Sequence, residues 1–176
     1  VNFGESGKMD DGNFLYVSAA VSDRGLSEKR PVNEDSYLED RRLGLFVVAD
    51  GVGGAQAGDF ASQMAIETIA DVFSNLPDNY DTEEAMALAI RYANQAIYTA
   101  ARDLPRLSTM ATTVAAVNIS GNIATIAHVG DSRVYRVAPD GTLYRETADH
   151  SVVEEEVRAG RMTPEQALSH PSRNVI

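Results

Sequence analysis

Leu43-Gly44-Leu45-Phe46-Val47-Val48-Ala49 runs directly into Asp50-Gly51-Val52-Gly53-Gly54. A short apolar run of this kind reads as a buried strand. It stops at a turn that glycine makes easy, because glycine reaches backbone angles closed to other residues. The carboxylate of Asp50 then stands at the mouth of a sheet, followed by glycine carbonyls. Such groups are hard oxygen donors, suited to Mg²⁺ or Mn²⁺. Taken alone, an Asp-Gly turn after a strand is commonplace and serves turn geometry equally well.

Working outward from this turn, two helices are predicted downstream. Ala65, Ile69, Val72, Phe73 and Leu76 fall on one helical face, which stops before Pro77. Met86, Ile90, Ala93, Ile97, Ala101 and Leu104 repeat at helical spacing in the second. Asp81 with Glu84 resembles a capping box at its start, and Pro105 follows its end. From Ala111 the pattern becomes strand-like, over Ala111–Ile119, Ile123–Val129, Arg133–Val137 and Leu143–Thr147. Ser120-Gly121-Asn122 and Pro139-Asp140-Gly141 are the turn signals between them. The last stretch returns to helix over Ser151–Arg158 and again from Thr163-Pro164-Glu165-Gln166. Upstream of the decisive turn, Val17, Ala19 and Val21 alternate with Tyr16, Ser18 and Ala20, which predicts a first strand. Asp23 to Pro31 reads as a charged loop, and residues 1–13 as a flexible, Gly-rich arm. Segregated strands and helices argue an α+β fold, not a doubly wound parallel sheet.

Composition narrows the function classes. The chain has 176 residues, 44% of them apolar, enough for one domain with a substantial core. Its formal net charge is -11, which argues against nucleic acid or an anionic membrane surface as partner. There is no cysteine, so disulfides, thiolate zinc sites and cysteine nucleophiles are excluded. A reducing, cytoplasmic setting fits this composition. No apolar run reaches the length of a membrane span.

Other residues with chemical potential have bland alternatives. Glu34-Asp35 sits in a charged loop and reads equally as solvated surface. Gly130-Asp131-Ser132-Arg133 could be a plain hairpin turn. Arg30 could be a surface arginine or a bidentate clamp on a phosphate. His128 reads as a strand residue, and His150, at a strand-to-helix junction, as structural.

The joint order of these segments is far more specific than any one of them. Arg30-Pro31-Val32-Asn33-Glu34-Asp35 is followed by Asp50-Gly51-Val52-Gly53-Gly54 and then by Ala111-Thr112-Thr113-Val114. Val129-Gly130-Asp131-Ser132-Arg133 and Asp149-His150-Ser151 complete the series. It closely resembles the metal-dependent PPM (type 2C) protein phosphatases, especially the small bacterial branch, from about Val17 to the last residue. The resemblance implies a four-layer αββα sandwich of two antiparallel sheets flanked by helix pairs. It implies a serine/threonine phosphatase in which two Mn²⁺ or Mg²⁺ ions activate a water against phosphorus, with a third, weaker ion in bacterial members. By position, Asp50 matches the bridging metal ligand and Gly51 the residue that offers a backbone carbonyl. Glu34 and Asp35 match the acidic pair at the metal-bound waters, Asp131 the third-metal aspartate, and Arg30 the phosphate-binding arginine. Phosphoproteins opposing a serine/threonine kinase would be the partners. Residues 151–176 correspond to the flap beside the active site.

Two departures qualify the resemblance. Many eukaryotic relatives carry a proton-donating histidine after the Asp-Gly pair, where this chain has Val52. No general acid can therefore be carried over. Family members also continue beyond Asn174-Val175-Ile176 with more strands and two further metal-binding aspartates. Residues 14–176 are accordingly expected to form the N-terminal portion of the domain, with exposed strand edges open to pairing with another chain. The competing reading is a catalytically incomplete pseudophosphatase, or a regulatory module that binds phosphoproteins.

Overall fold

The computed structural model describes residues 17–26, 32–54 and 57–176. The expected arm over residues 1–13 lies outside the described residues. In chain order the structure runs β1 (Asp35–Asp40), β2 (Leu45–Val52), α1 (Ala57–Ser74), α2 (Thr82–Asp103), β3 (Ala111–Thr112), β4 (Val114–Ser120) and β5 (Ile123–Val129). The hairpin β6 (Tyr135–Val137) and β7 (Leu143–Arg145) follows, then α3 (Val152–Arg158) and α4 (Pro164–Ser169). The large sheet has the order β1-β2-β4-β5, with the short β3 also pairing with β2, and every pairing is antiparallel. β6 and β7 form a separate two-stranded antiparallel sheet. The α+β class and the two antiparallel sheets are as expected. Of the expected helix layers, α1 and α2 cover one face of the large sheet, whereas α3 and α4 pack on each other.

Strand β2 sets the sidedness. Leu45, Val47, Ala49 and Gly51 are buried, while Val48, Asp50 and Val52 between them are exposed. This is the period-2 alternation of a sheet covered on one face. The covered face meets Ala65, Ile69 and Phe73 of α1 and Ala85, Met86, Ala89 and Ala93 of α2. Val72, Leu76, Ile90 and Ile97, also expected on the inner helix faces, are partly buried against the same core or its neighbour. Leu104 departs from the expectation: it is the C-cap of α2 and is exposed. Asp81 does cap α2, accepting a hydrogen bond from the Glu84 amide at 2.9 Å. Thr163 and Gln166 form a complete capping box on α4.

One predicted strand does not form, and one unpredicted strand does. Residues 17–25 are irregular, with Val17 and Val21 exposed. The first strand is instead Asp35–Asp40, of which the sequence reading placed only Asp35, in a charged loop. Alternation proposes a strand but cannot supply it with a partner. β1 pairs with β2 along its whole length, from Asp35↔Asp50 to Asp40↔Leu45. Ser18 is held beside β1 by side chains: its hydroxyl donates to Glu39 Oε1 at 2.7 Å, and its carbonyl accepts from Arg41 Nη2 at 3.1 Å.

The β6–β7 hairpin is anchored through charge. Asp149, 7% exposed, accepts two hydrogen bonds from Arg133, at 2.9 Å from Nε and 2.6 Å from Nη2. Arg145 adds a third at 3.1 Å. Hydrogen bonding to Arg133 holds the Asp149 carboxyl below the usual aspartate range, and burial opposes this only in part.

Two outcomes follow from this packing. Ile69→Ala should lower the unfolding free energy by about 3 kcal/mol in urea titration, because it opens a cavity in the helix-sheet interface. Asp149→Asn should cost about 2 kcal/mol at neutral pH by removing a charge-assisted fork. Because the Asp149 pKa is lower folded than unfolded, its stabilising contribution is present above the ordinary aspartate value of about 3.9. It should fade as pH falls through the lower folded value. Acid unfolding of the Asn variant should therefore depend less steeply on pH.

Candidate metal and phosphate site

Four of the six residues singled out from sequence come together. Glu34, Asp35, Asp50 and Gly51 line one open cleft of about 600 Å³, together with Asn33, Val52, Gly53, Gly54 and the Asp23-Arg24-Gly25 segment. Asp131 is not among the lining residues. Arg30 lies outside the described residues.

The register of β1 on β2 explains the convergence. The Gly51 amide donates to the Glu34 carbonyl at 3.1 Å, which makes that rung a hydrogen-bonded pair. Pairs alternate along an antiparallel ladder, so Asp35 opposite Asp50 is the narrow, non-hydrogen-bonded rung, where facing side chains lie closest. Both aspartates are exposed on the face away from α1 and α2. Like charges directly opposite each other are destabilising in a sheet. A cation between them reverses that sign, so the pairing itself fits a metal.

Gly51 fixes the next layer. A Cβ built on it would collide with the Gly58 carbonyl and come within 2.6 Å of the Glu34 carbonyl. A Cβ on Gly58 would in turn strike the Glu34 carboxylate. The end of β2 and the first turn of α1 therefore touch backbone to backbone, with Glu34 packed into the seam. Ser62 reinforces the seam, its hydroxyl donating to the Glu34 carbonyl at 2.7 Å. The sequence reading singled out Gly51 for its carbonyl and missed Gly58 and Ser62. A small residue in a predicted helix start gave no distinguishing signal.

Asp131 stands at the exit of β5 and is tied to the cleft indirectly. Its neighbour Ser132 meets the Thr113 hydroxyl at 2.6 Å, and that hydroxyl also accepts from the Asp50 amide at 3.1 Å. The Asp149-His150-Ser151 segment braces the same loop. The His150 amide donates to the Gly130 carbonyl at 2.9 Å, and His150 Nδ1 accepts from the Gly130 amide at 3.3 Å. His128, in β5 as expected, stacks on His150 with ring centroids 4.6 Å apart. Ser151, not His150, caps α3.

Hard oxygen donors are thus present: the facing carboxylates of Asp35 and Asp50, and the seam carrying Glu34 and the Gly51 backbone. Among the described residues, no three acidic or imidazole side chains converge closely enough to hold a metal by themselves. Backbone carbonyls and water would have to complete any coordination sphere, a pattern typical of Mg²⁺ and Mn²⁺ sites.

Residues 27–172 match the family model described as protein phosphatase 2C. The chain is 41% identical over 158 residues to the serine/threonine protein phosphatase PstP of Mycobacterium tuberculosis, covering 90% of this chain and 30% of that protein. It is 34% identical over 157 residues to the protein phosphatase PhpP of Streptococcus pneumoniae, covering 86% of this chain and 63% of the relative. A crystal structure of the catalytic domain of PstP in complex with two manganese ions superposes with a TM-score of 0.74 at 40% identity. That match covers 85% of this chain and 62% of the solved one, so the chain spans less than two thirds of each of these relatives. The family match extends over most of the sequence, and with it the chain belongs to the protein phosphatase 2C family.

Proposed function

We propose that this chain carries the catalytic half-site of a metal-dependent protein serine/threonine phosphatase, acting on phosphoserine and phosphothreonine. The observation that carries the reading is the narrow rung that sets Asp35 against Asp50 at the cleft. Asp50 would bridge two cations, the Gly51 carbonyl would bind one of them, and Glu34 and Asp35 would orient their waters. Asp131 would hold a third, weaker ion from the adjoining loop. When bound, such ions act as Lewis acids and bring the pKa of attached water near neutrality. Arg30 would orient the phosphate by hydrogen bonds to its nonbridging oxygens. Val52, after the Asp-Gly pair, offers no proton to the leaving group. Residues 151–176 read as the flap at the substrate entrance.

Phosphoproteins are the corresponding partners, with a serine/threonine kinase opposing the reaction in the cytoplasm. No described helix is long and apolar enough to cross a membrane. Among the described residues, β1 and β5 are the outer strands of the large sheet, and pairing with another chain would use their outer edges. A second reading draws on the lack of three converging acidic or imidazole side chains among the described residues. On that reading the chain binds phosphoproteins without turning them over.

The two readings separate in one assay. With Mn²⁺, the chain should hydrolyse p-nitrophenyl phosphate and a phosphothreonine peptide, and chelator should abolish both activities. Asp50→Asn should lower kcat/KM by at least about 100-fold, the scale of losing one preorganised electrostatic partner. Its far-UV circular dichroism without metal should match that of the unaltered protein. Phosphopeptide binding with no turnover at any Mn²⁺ concentration would select the binding module instead.

A further inference from the structure

We propose that Thr113 is a positioning residue that couples the Asp50 carboxylate to the Asp131 loop through a side-chain rung built into the sheet. The proposal rests on the metal reading of the cleft.

Thr113 lies between β3 and β4, and both flanking strands pair with β2 in one continuous register. That register sets Thr113 opposite Asp50. Its amide donates to the Asp50 carbonyl at 2.9 Å, as a ladder requires. The return bond is different. The Asp50 amide donates at 3.1 Å to the Thr113 hydroxyl, not to the Thr113 carbonyl. That carbonyl instead accepts from the Thr112 hydroxyl at 3.0 Å, and the same Thr112 hydroxyl lies 3.0 Å from the Asp50 carbonyl. Both threonines therefore act on the backbone of one residue, the candidate bridging ligand.

The Thr113 side chain also reaches the second carboxylate-bearing segment. Its hydroxyl lies 2.6 Å from the Ser132 hydroxyl, immediately after Asp131. Its methyl group fills the space beside Gly130, immediately before Asp131: a Cβ on Gly130 would approach the Thr113 Cγ2 to 2.6 Å. Gly130 has φ +101°, a left-handed conformation that side chains disfavour. Asp131 is thus bracketed on both sides by contacts to Thr113, which is 1% exposed. A buried hydroxyl with its bonding capacity engaged resists movement, because breaking either bond leaves a polar group unpaired. Asp50 is held through its amide, and Asp131 through its two chain neighbours. The hydroxyl gives them a shared reference point.

The role is tested on the full chain with Mn²⁺ alone as probe, following free Mn²⁺ by electron paramagnetic resonance. Thr113→Val keeps the shape and removes the hydroxyl. It should weaken Mn²⁺ binding by about 10- to 100-fold, the range for losing a partner that orients a metal ligand. Amide exchange at Asp50 should accelerate in the same variant. Thr113→Ser retains the hydroxyl and should stay within about threefold of the unaltered protein. Ser132→Ala cuts only the arm to the Asp131 loop and should fall between the two. Thr113→Val that binds Mn²⁺ as tightly as the unaltered protein overturns the proposal. Should Thr113→Val fail to fold, Ser132→Ala decides, and unchanged Mn²⁺ affinity there overturns the coupling. Absence of Mn²⁺ binding by the unaltered protein would show separately that the metal reading is wrong, and the proposal would fall with it.

Discussion

Two aspartates occupy opposed positions on the narrow rung between β1 and β2, and the rest of the site is arranged around that pairing. Like charges directly opposite are unfavourable in a sheet, an arrangement that a cation between them would reverse. The fold keeps it nonetheless, through the Gly51 amide bond to Glu34 and the antiparallel register that this bond belongs to. A one-residue slip would turn Asp50 toward the helices. The buried partners of β2 forbid this, because Leu45, Val47 and Ala49 would then lose the core. Hydrophobic burial on one face therefore holds the two aspartates in register on the other.

The same strand end meets α1 without an intervening side chain. Gly51 and Gly58 touch through backbone, and Glu34 lies in the seam. This close approach places the helix start and both acidic segments within one small volume. On the opposite side, Thr113 and the Gly130–His150 bonds hold the β5 exit against β2. The Asp149 fork with Arg133 and Arg145 then fastens the hairpin to the segment leading into α3. Each of the motifs read in sequence thus has a mechanical part in the structure, and several share a hydrogen bond.

Legibility in the sequence varied with what each element depends on. α1 and α2 were readable because Ala65, Ile69, Phe73, Met86 and Ala93 repeat at helical spacing and all face one core. β2 was readable because its apolar run ends at glycines. β1 was not, because Asp35-Ser36-Tyr37-Leu38-Glu39-Asp40 carries few apolar residues and is stabilised by its pairing with β2. The alternation over 17–21 misled for the converse reason: the pattern was present and a strand partner was not among the described residues. At the site, Glu34, Asp35, Asp50 and Gly51 were named from motif order and do line one cleft. Gly58, Ser62 and the double role of Thr113 were invisible, since small and hydroxylated residues look alike wherever they occur.

The sequence by itself determined the α+β class, the core-facing helix stripes, the Asp-Gly turn and the order of motifs that marks the protein phosphatase 2C family. These are local or periodic properties, and a linear string records them. Tertiary structure decided which acidic residues face each other, which glycines must touch, and which hydroxyl replaces a rung of the sheet. Those outcomes depend on register and on approach distances between segments far apart in the chain. Neither is encoded in any single stretch; both arise only when the hydrophobic face of β2 settles on its helices.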